Sequence, residues 1–429
     1  MSTGASLTII ALATAEISAD LNTSPTVVAW SVTGGVLGSA IGGALGGKLG
    51  DIHGHRRIYR VALFAVAVLT ALSAVAWSGP SFLIIRVLAG VAAGATSANS
   101  TAMVLHAFPV SERTKAMGLY QSALTLAPAL GLLLGGPMID HLGWRAMFWV
   151  FTALVTAGYI WAYVVVEERG QRMARRIDYL GAITLSASVV SVLLFFDRAK
   201  AFGISDPVPM LTLACAAVSI VLFVVIESRV AEPLLRLDYF RRRNFVVPTV
   251  VGAGYNYAFM GGLVVTPLLM HRVFGYSNTA AASVLFLRPM GYSVTAAFAG
   301  RLHGRFGTRS TAIAGGVIVV ASMVLFAVGS EREQIGIIIV GLVLAGLGLG
   351  IATPGLVVAS ANASDPQDFG VSTGMRTTIT QVGVTAGIQS MTIALGTSYT
   401  PSAFAGSFWL GCTVAAAATL LALTIRDTA

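Results

Sequence analysis

The feature that most constrains this chain is the separation of its charges from its apolar residues. Of 429 residues only 45 are Asp, Glu, Lys or Arg, and they cluster in short turns between long uncharged runs. A soluble chain of this length would carry about 107 charged residues at the usual rate. A helix needs about 20 apolar residues to cross a bilayer, and in lipid an open strand leaves its amides unpaired. The pattern therefore predicts an all-α polytopic membrane protein. Fourteen such helices use about 280 residues, which leaves no room for a large soluble domain.

Read between charged and Pro/Gly turns, the apolar runs give spans near 2–17, 25–46, 58–77, 82–105, 116–137, 147–166, 179–196, 209–226, 245–270, 280–299, 311–329, 335–359, 374–395 and 404–425. The first is short for a bilayer, so further residues upstream of Met1 are expected. It lacks the basic leader of a cleavable signal peptide. The even-numbered connections and the C-terminal tail hold 19 Lys and Arg, against five in the odd-numbered ones. This bias places the even loops and both termini in the cytoplasm. It also accounts for the net charge of +9 without a nucleic-acid surface. The three arginines left over, Arg86, Arg288 and Arg376, lie within or at the mouth of spans. Cys215 and Cys412 sit in apolar runs, as small hydrophobes do. No disulfide, metal or cofactor is expected.

One repeat is visible. Residues 47–54 and 300–307 share a Gly-x-Leu-x-x-x-x-Gly frame, each after the second helix of a would-be six-helix half. Two six-helix halves with two helices inserted between them is the natural division.

Several segments carry chemistry. In 47–57, Gly47 allows close helix approach and Gly54 a tight turn. Asp51 can face a helix N-terminus or an arginine, and Arg56 and Arg57 anchor the cytoplasmic face. In the fourth span Arg86 shares a helical face with Gly90, Gly94 and Ser97, so it either looks into a small-residue groove or snorkels to an interface. An arginine at such a depth is a functional candidate. The fifth span combines Pro128, which bends a helix, with Gly131, Gly135 and Gly136, which let helices approach. Asp140 can pair with Arg145 at the outer face.

These segments resemble the signatures of the major facilitator superfamily. The loop 47–57 is similar to its signature loop, in which the acid at Asp51 is a cytoplasmic gate element, although Ile52 and His55 replace usual basic residues. The run 83–90 resembles its fourth-helix motif, with Ala89 where glutamine is common. The run 127–137 resembles the antiporter motif of the fifth helix, with Ala127-Pro128 and Gly131-Leu132 in place of its paired Gly-Pro. Residues 175–181, 227–235 and 241–245 look like the boundaries of the two extra helices in the fourteen-helix drug:proton antiporter branch. The resemblance covers essentially the whole chain. It implies a major facilitator fold with a six-helix bundle at 1–166, two inserted helices with cytoplasmic linkers at 167–244 and a second bundle at 245–429.

The implied activity is secondary export of hydrophobic or amphipathic small molecules, such as drugs or antibiotics, by alternating access. Protons are the coupling ion, the proton gradient the energy source, the bilayer the setting and a monomer the working unit. The Ala/Gly/Val and Arg-for-Lys bias points to a bacterial cytoplasmic membrane. Polar residues on apolar helices are candidates for the substrate cavity: Asn99, Gln121, Tyr255, Asn256, Tyr257, Arg288, Gln381 and Gln389. Each is equally suited to bonding helix to helix. Coupling is harder to place, because all 18 acids and six histidines fall in loops or near span ends, and the acid expected about ten positions before Glu16 is Ser6. Glu16 is the remaining carboxylate candidate. Arg86 cannot deprotonate, so it would tune an acid or hold an anion. The uncompensated positive charge also suits an exporter of an anionic metabolite or lipid, and the missing carboxylate a transporter-like sensor or scaffold. No catalytic cluster shares one membrane depth, so an enzyme is not expected.

Overall fold

The computed structural model describes residues 13–165, 179–202, 206–230, 235–396 and 398–426. Its helices are α1 (Thr14–Asp20), α2 (Pro25–His53), α3 (His55–Ala74), α4 (Gly79–Ala107), α5 (Val110–Val165), α6 (Tyr179–Phe202), α7 (Pro207–Arg229), α8 (Arg243–Arg272), α9 (Asn278–Leu285), α10 (Leu287–Glu331), α11 (Ile335–Asn362), α12 (Phe369–Leu395) and α13 (Pro401–Ala422). Two 3₁₀ turns, Leu237–Arg241 and Pro366–Asp368, complete the regular structure. Among the described residues there is no strand, and seven helices are long and apolar enough to cross a membrane.

The helix starts follow local chemistry. Helices α2, α4, α7 and α13 carry Pro in the first turn after Ser24, Ser78, Asp206 and Thr400. There its missing N–H costs nothing and its φ is already helical. Two helices are too long to be straight. At 1.5 Å per residue α5 would run about 84 Å and α10 about 68 Å, more than twice the ~30 Å hydrocarbon core. Each breaks at one glycine, Gly143 (φ 75°) in α5 and Gly307 (φ 78°) in α10. Gly54, between α2 and α3, has φ 96°. Gly54 and Gly307 are the closing glycines of the two repeat copies, so the repeat encodes the same left-handed reversal twice.

Two departures from the sequence-based spans have a local cause. The expected helix 280–299 is broken at Phe286, because Pro289 has no N–H for the Leu285 carbonyl. Helix α12 begins at Phe369, five residues before Gly374, because a partner elsewhere in the chain satisfies its first amides.

Small residues set the packing of the first half, α1–α5. A Cβ at Gly42 would lie 1.9 Å from the Val91 carbonyl oxygen, and one at Gly90 2.0 Å from that of Gly35. Backbones of α2 and α4 are therefore in direct contact, as small-residue membrane interfaces allow. The second half, α8–α13, instead encloses a continuous core that includes Val251, Phe326, Leu342 and Phe408. Helices α6 and α7 pack on each other, and α6 touches α2 and α12. Leu211, Val218, Val221 and Leu222 of α7 are exposed, an apolar face suited to lipid.

Candidate functional site

The halves meet along two seams, α2 against α12 and α5 against α10. On the first, Asp51 in the last turn of α2 reaches across to the start of α12. Its Oδ1 accepts from the Gly370 amide and its Oδ2 from the Val371 amide, both at 2.9 Å. These are two of the first-turn N–H groups that a helix cannot pair internally, at the positive end of its dipole. The carboxylate is 2% exposed. It can come so close because glycines face one another: a Cβ at Gly47 would sit 2.1 Å from the Gly370 carbonyl oxygen, and one at Gly370 2.3 Å from that of Gly47.

Behind Asp51 lies a buried polar relay within the first half. His55, one turn on, places Nε2 3.3 Å from Asp51 Oδ1 and Nδ1 2.8 Å from Asn99 Oδ1. Asn99 in turn donates to the carbonyls of Gly46 at 2.7 Å and Ala95 at 2.8 Å. The relay fixes the end of α2 on α4, so the carboxylate is held in place before it meets α12. Farther along this seam Thr378 donates to the Ala40 carbonyl at 3.0 Å, and Gln381 bonds to Ser39.

The second seam closes at the same end by different means. Arg113 donates to Asn362 Oδ1 at 2.6 Å and lies 4.9 Å over the Phe369 ring. A Cβ at Gly300 would meet Lys115 Cα at 2.6 Å, and one at Gly118 the Ala296 carbonyl at 2.2 Å. Gly300 holds the place of Gly47 in the repeat, and Gly304 that of Asp51. The second copy thus keeps the close approach and lacks the carboxylate.

A third element clasps the same corner. In the linker between α7 and α8, Arg236 and the Tyr239 hydroxyl donate to Asp368 Oδ2 at 2.7 and 2.6 Å, while Arg242 lies 3.3 Å from Asp365 Oδ1. Asp368 is fully buried and is the N-cap residue of α12, yet its side chain makes no capping bond. Burial and then the hydrogen bond to Asp368 raise the Tyr239 pKa, so the phenol stays a donor. Burial opposes the charge of Arg236, but the hydrogen bond and charge of Asp368 outweigh it and raise the pKa.

Helix reversals at matched repeat positions and two halves locked corner to corner accord with the sequence comparisons. The profile of the Major Facilitator Superfamily matches residues 1–287 and 249–429. The chain belongs to the Major Facilitator Superfamily. It is an integral, multi-pass membrane protein of a transporter family. The tetracenomycin C resistance and export protein of Streptomyces glaucescens is 27% identical over 384 residues, which is 89% of this chain and 71% of that protein. Multidrug resistance protein Stp of Mycobacterium tuberculosis is 26% identical over 341 residues, 79% of this chain and 63% of its own length. Multidrug transporter protein MdtP of Bacillus subtilis is 25% identical over 382 residues, with 89% and 70% covered. The chain thus spans 63% to 71% of the length of these relatives. Among solved structures, the human organic anion transporter MFSD10 superposes with a TM-score of 0.69 at 16% identity, over 98% of this chain and 97% of that one. The proton:xylose symporter XylE gives 0.69 at 16% identity, over 99% and 93%. At such identity the likeness shows the fold alone.

Within this superfamily fold the other candidate residues fall in distinct places. Tyr255 is buried and donates to the Ala312 carbonyl at 3.0 Å, which pins α8 to α10. Arg288 is 0% exposed, bonded to the Phe259 carbonyl with its guanidinium 3.8 Å over the Phe259 ring. Asn99 is fully buried in the relay behind Asp51. Tyr257 bonds to Ser390 between α8 and α12. Asn256 and Gln121 are partly buried. Arg86 is 3% exposed and 5.8 Å over the Phe148 ring, so it does not snorkel. Glu16 is exposed at the end of the first half opposite Asp51, beside Asp20 and Arg145. Arg145 pairs there with Asp20, while Asp140, its expected partner, lies outside the described side chains, as do Pro128, Gly131, Gly135 and Gly136. Arg56 and Arg57 line a pocket with Arg60 and Tyr163 on the outside of α3.

Sequence reasoning missed His55 as a working residue, and it missed the clasp and the α12 terminus. One signal was present: Gly370 and Gly374 are spaced like Gly43 and Gly47, and the two pairs face each other.

Proposed function

We propose that this protein is a secondary active exporter of hydrophobic or amphipathic small molecules, driven by inward proton flow. Its fourteen spans would comprise bundles at 1–166 and 245–429, with the inserted pair at 167–244. The Asp51 end would be cytoplasmic, as the Lys and Arg bias requires. The observation that carries the reading is the cap across the seam. A carboxylate of one half satisfies the first-turn amides of a helix in the other, a contact that exists only while that end is shut. Closure built from few, mutually dependent contacts gives two discrete states, which alternating access needs. The relatives named for resistance and export supply the direction and the substrate class.

The experiment is efflux of a fluorescent hydrophobic dye in inverted bacterial vesicles containing the protein, with and without a proton gradient. Gradient-dependent dye movement, absent from vesicles without the protein, is the expected result. Movement indifferent to the gradient would remove proton coupling, and no movement of any of a panel of dyes would remove the export reading.

A further inference from the structure

Of the three intramembrane arginines, Arg86 and Arg288 are sealed within single halves, whereas Arg376 lies on the seam and is only partly buried. It sits six residues beyond Gly370 on α12, about 9 Å farther along the axis from the end that Asp51 caps. Among the described residues Arg376 forms no ion pair, and its buried Nε has no hydrogen-bond partner. The groups that interact with its charge are neutral, Tyr120 from the first half and Tyr292 from the second. Tyr120 is hydrogen-bonded to Ser100 of α4 at 2.5 Å. Arg376 lines one narrow crevice together with Asn256, Thr353 and Thr380.

A guanidinium at such depth is costly and ordinarily has an acid beside it. Here hydroxyls and an amide surround it, drawn from both halves. Guanidinium recognises carboxylate and related oxyanions through paired donors. We propose that Arg376 anchors a site for an anionic group, a carboxylate or phenolate carried by a small molecule. The inference deepens the exporter reading and rests on it only for the direction of movement. Because α5, α8, α10 and α11 all contribute to the surroundings of Arg376, the occupant is a small molecule within the bundle and not a lipid headgroup at its rim. A ligand held there joins α12 to the first half just inside the Asp51 contact, so its charge bears on whether that end stays shut.

The test uses the full-length protein in phosphatidylcholine nanodiscs, with anthracene carboxylate and its uncharged carboxamide as probes. Wild type is expected to bind the carboxylate at least ~10-fold more tightly than the amide, the effect of one charge-assisted contact. Arg376→Gln should abolish that preference and Arg376→Lys should keep part of it. Equal binding of the two probes by wild type, or an unchanged preference in Arg376→Gln, would overturn the proposal. Should Arg376→Gln fail to fold, the wild-type preference and the Arg376→Lys comparison still decide it. Displacement of the carboxylate by added phosphatidylglycerol would overturn the small-molecule assignment in favour of a lipid headgroup; indifference to it supports the assignment. Selective binding without efflux from vesicles would sink the exporter reading and leave the site standing.

Discussion

Asp51→Asn keeps the shape of the side chain and removes its charge and one acceptor. In the wild type the two carboxylate oxygens take separate amides, Gly370 and Val371, each at 2.9 Å. An asparagine carbonyl can serve one of them, and its NH₂ then faces the other donor against donor. A buried amide left without an acceptor costs about 1–3 kcal/mol, and the surviving bond loses about 1 kcal/mol with the charge. The missing negative charge at the helix start adds ~0.3–1 kcal/mol. These effects overlap, so the closed corner is weakened by ~2–4 kcal/mol relative to the open one. At 1.4 kcal/mol per decade the closed-to-open ratio falls roughly 30- to 700-fold.

The assay is a spin-label distance across the corner. His53 and Gln367 are exposed on opposite sides of the seam and accept labels after Cys215 and Cys412 are replaced. In nanodiscs the wild type should show one dominant short distance, and Asp51→Asn a second, longer population that dominates. Thermal unfolding should change little beside that shift, because the relay behind Asp51 still ties α2 to α4. A normally inserted Asp51→Asn protein with the wild-type distance distribution would refute the cap as the lock on this corner.

Other expectations are simpler. Gly370→Ala drives a Cβ into the Gly47 carbonyl at 2.3 Å and Asp51 Oδ1 at 2.4 Å, so the same label pair should report an open corner; an unchanged short distance would mean that the helices can part slightly without losing the cap. Glu16→Gln should retain gradient-driven efflux within about twofold, since an exposed surface change is nearly neutral; a large loss would restore Glu16 as the coupling group. Reporter fusions at Ala429 and within 169–176 should both read cytoplasmic, and a signal from the far side at either place would mean that a span has been miscounted.

Much of the architecture is legible because lipid leaves the chain few options. The helix reversals at Gly54 and Gly307 follow from a repeat visible as spacing alone, and the burial of Arg86 from the small residues on its face. What escapes the sequence is contact between distant segments. Asp51 is recognisable as an acid poised to meet a helix terminus, but the terminus lies 319 residues away and its opening turn resembles a loop until the partner is supplied. Arg376 looks like a residue at the mouth of a span for the same reason, and the longer helix carries it two turns inside. Asn99 and Tyr255 illustrate the ambiguity of a polar residue on an apolar helix, because each bonds helix to helix.

The clasp suggests how the linker after the inserted helices bears on the corner. An Asp at the N-cap position ordinarily accepts from its own helix's second or third amide, a bond worth ~0.5–2 kcal/mol. Asp368 instead turns to Arg236 and Tyr239, which leaves the Gly370 and Val371 amides to Asp51. Arg236→Met and Tyr239→Phe together remove these two hydrogen bonds from the Asp368 carboxylate, which sits at the N-cap position of the helix whose second and third amides are those of Gly370 and Val371. Asp368 should then compete for them, and a competing cap of ~1.4 kcal/mol shifts the corner toward open about tenfold. The label pair at His53 and Gln367 reads this directly. Adding Asp368→Ala to the double variant removes the competitor and should return the short distance, which separates competition from simple damage to the linker. If the double variant keeps the wild-type distance, the clasp holds the linker in place and has no part in setting the corner.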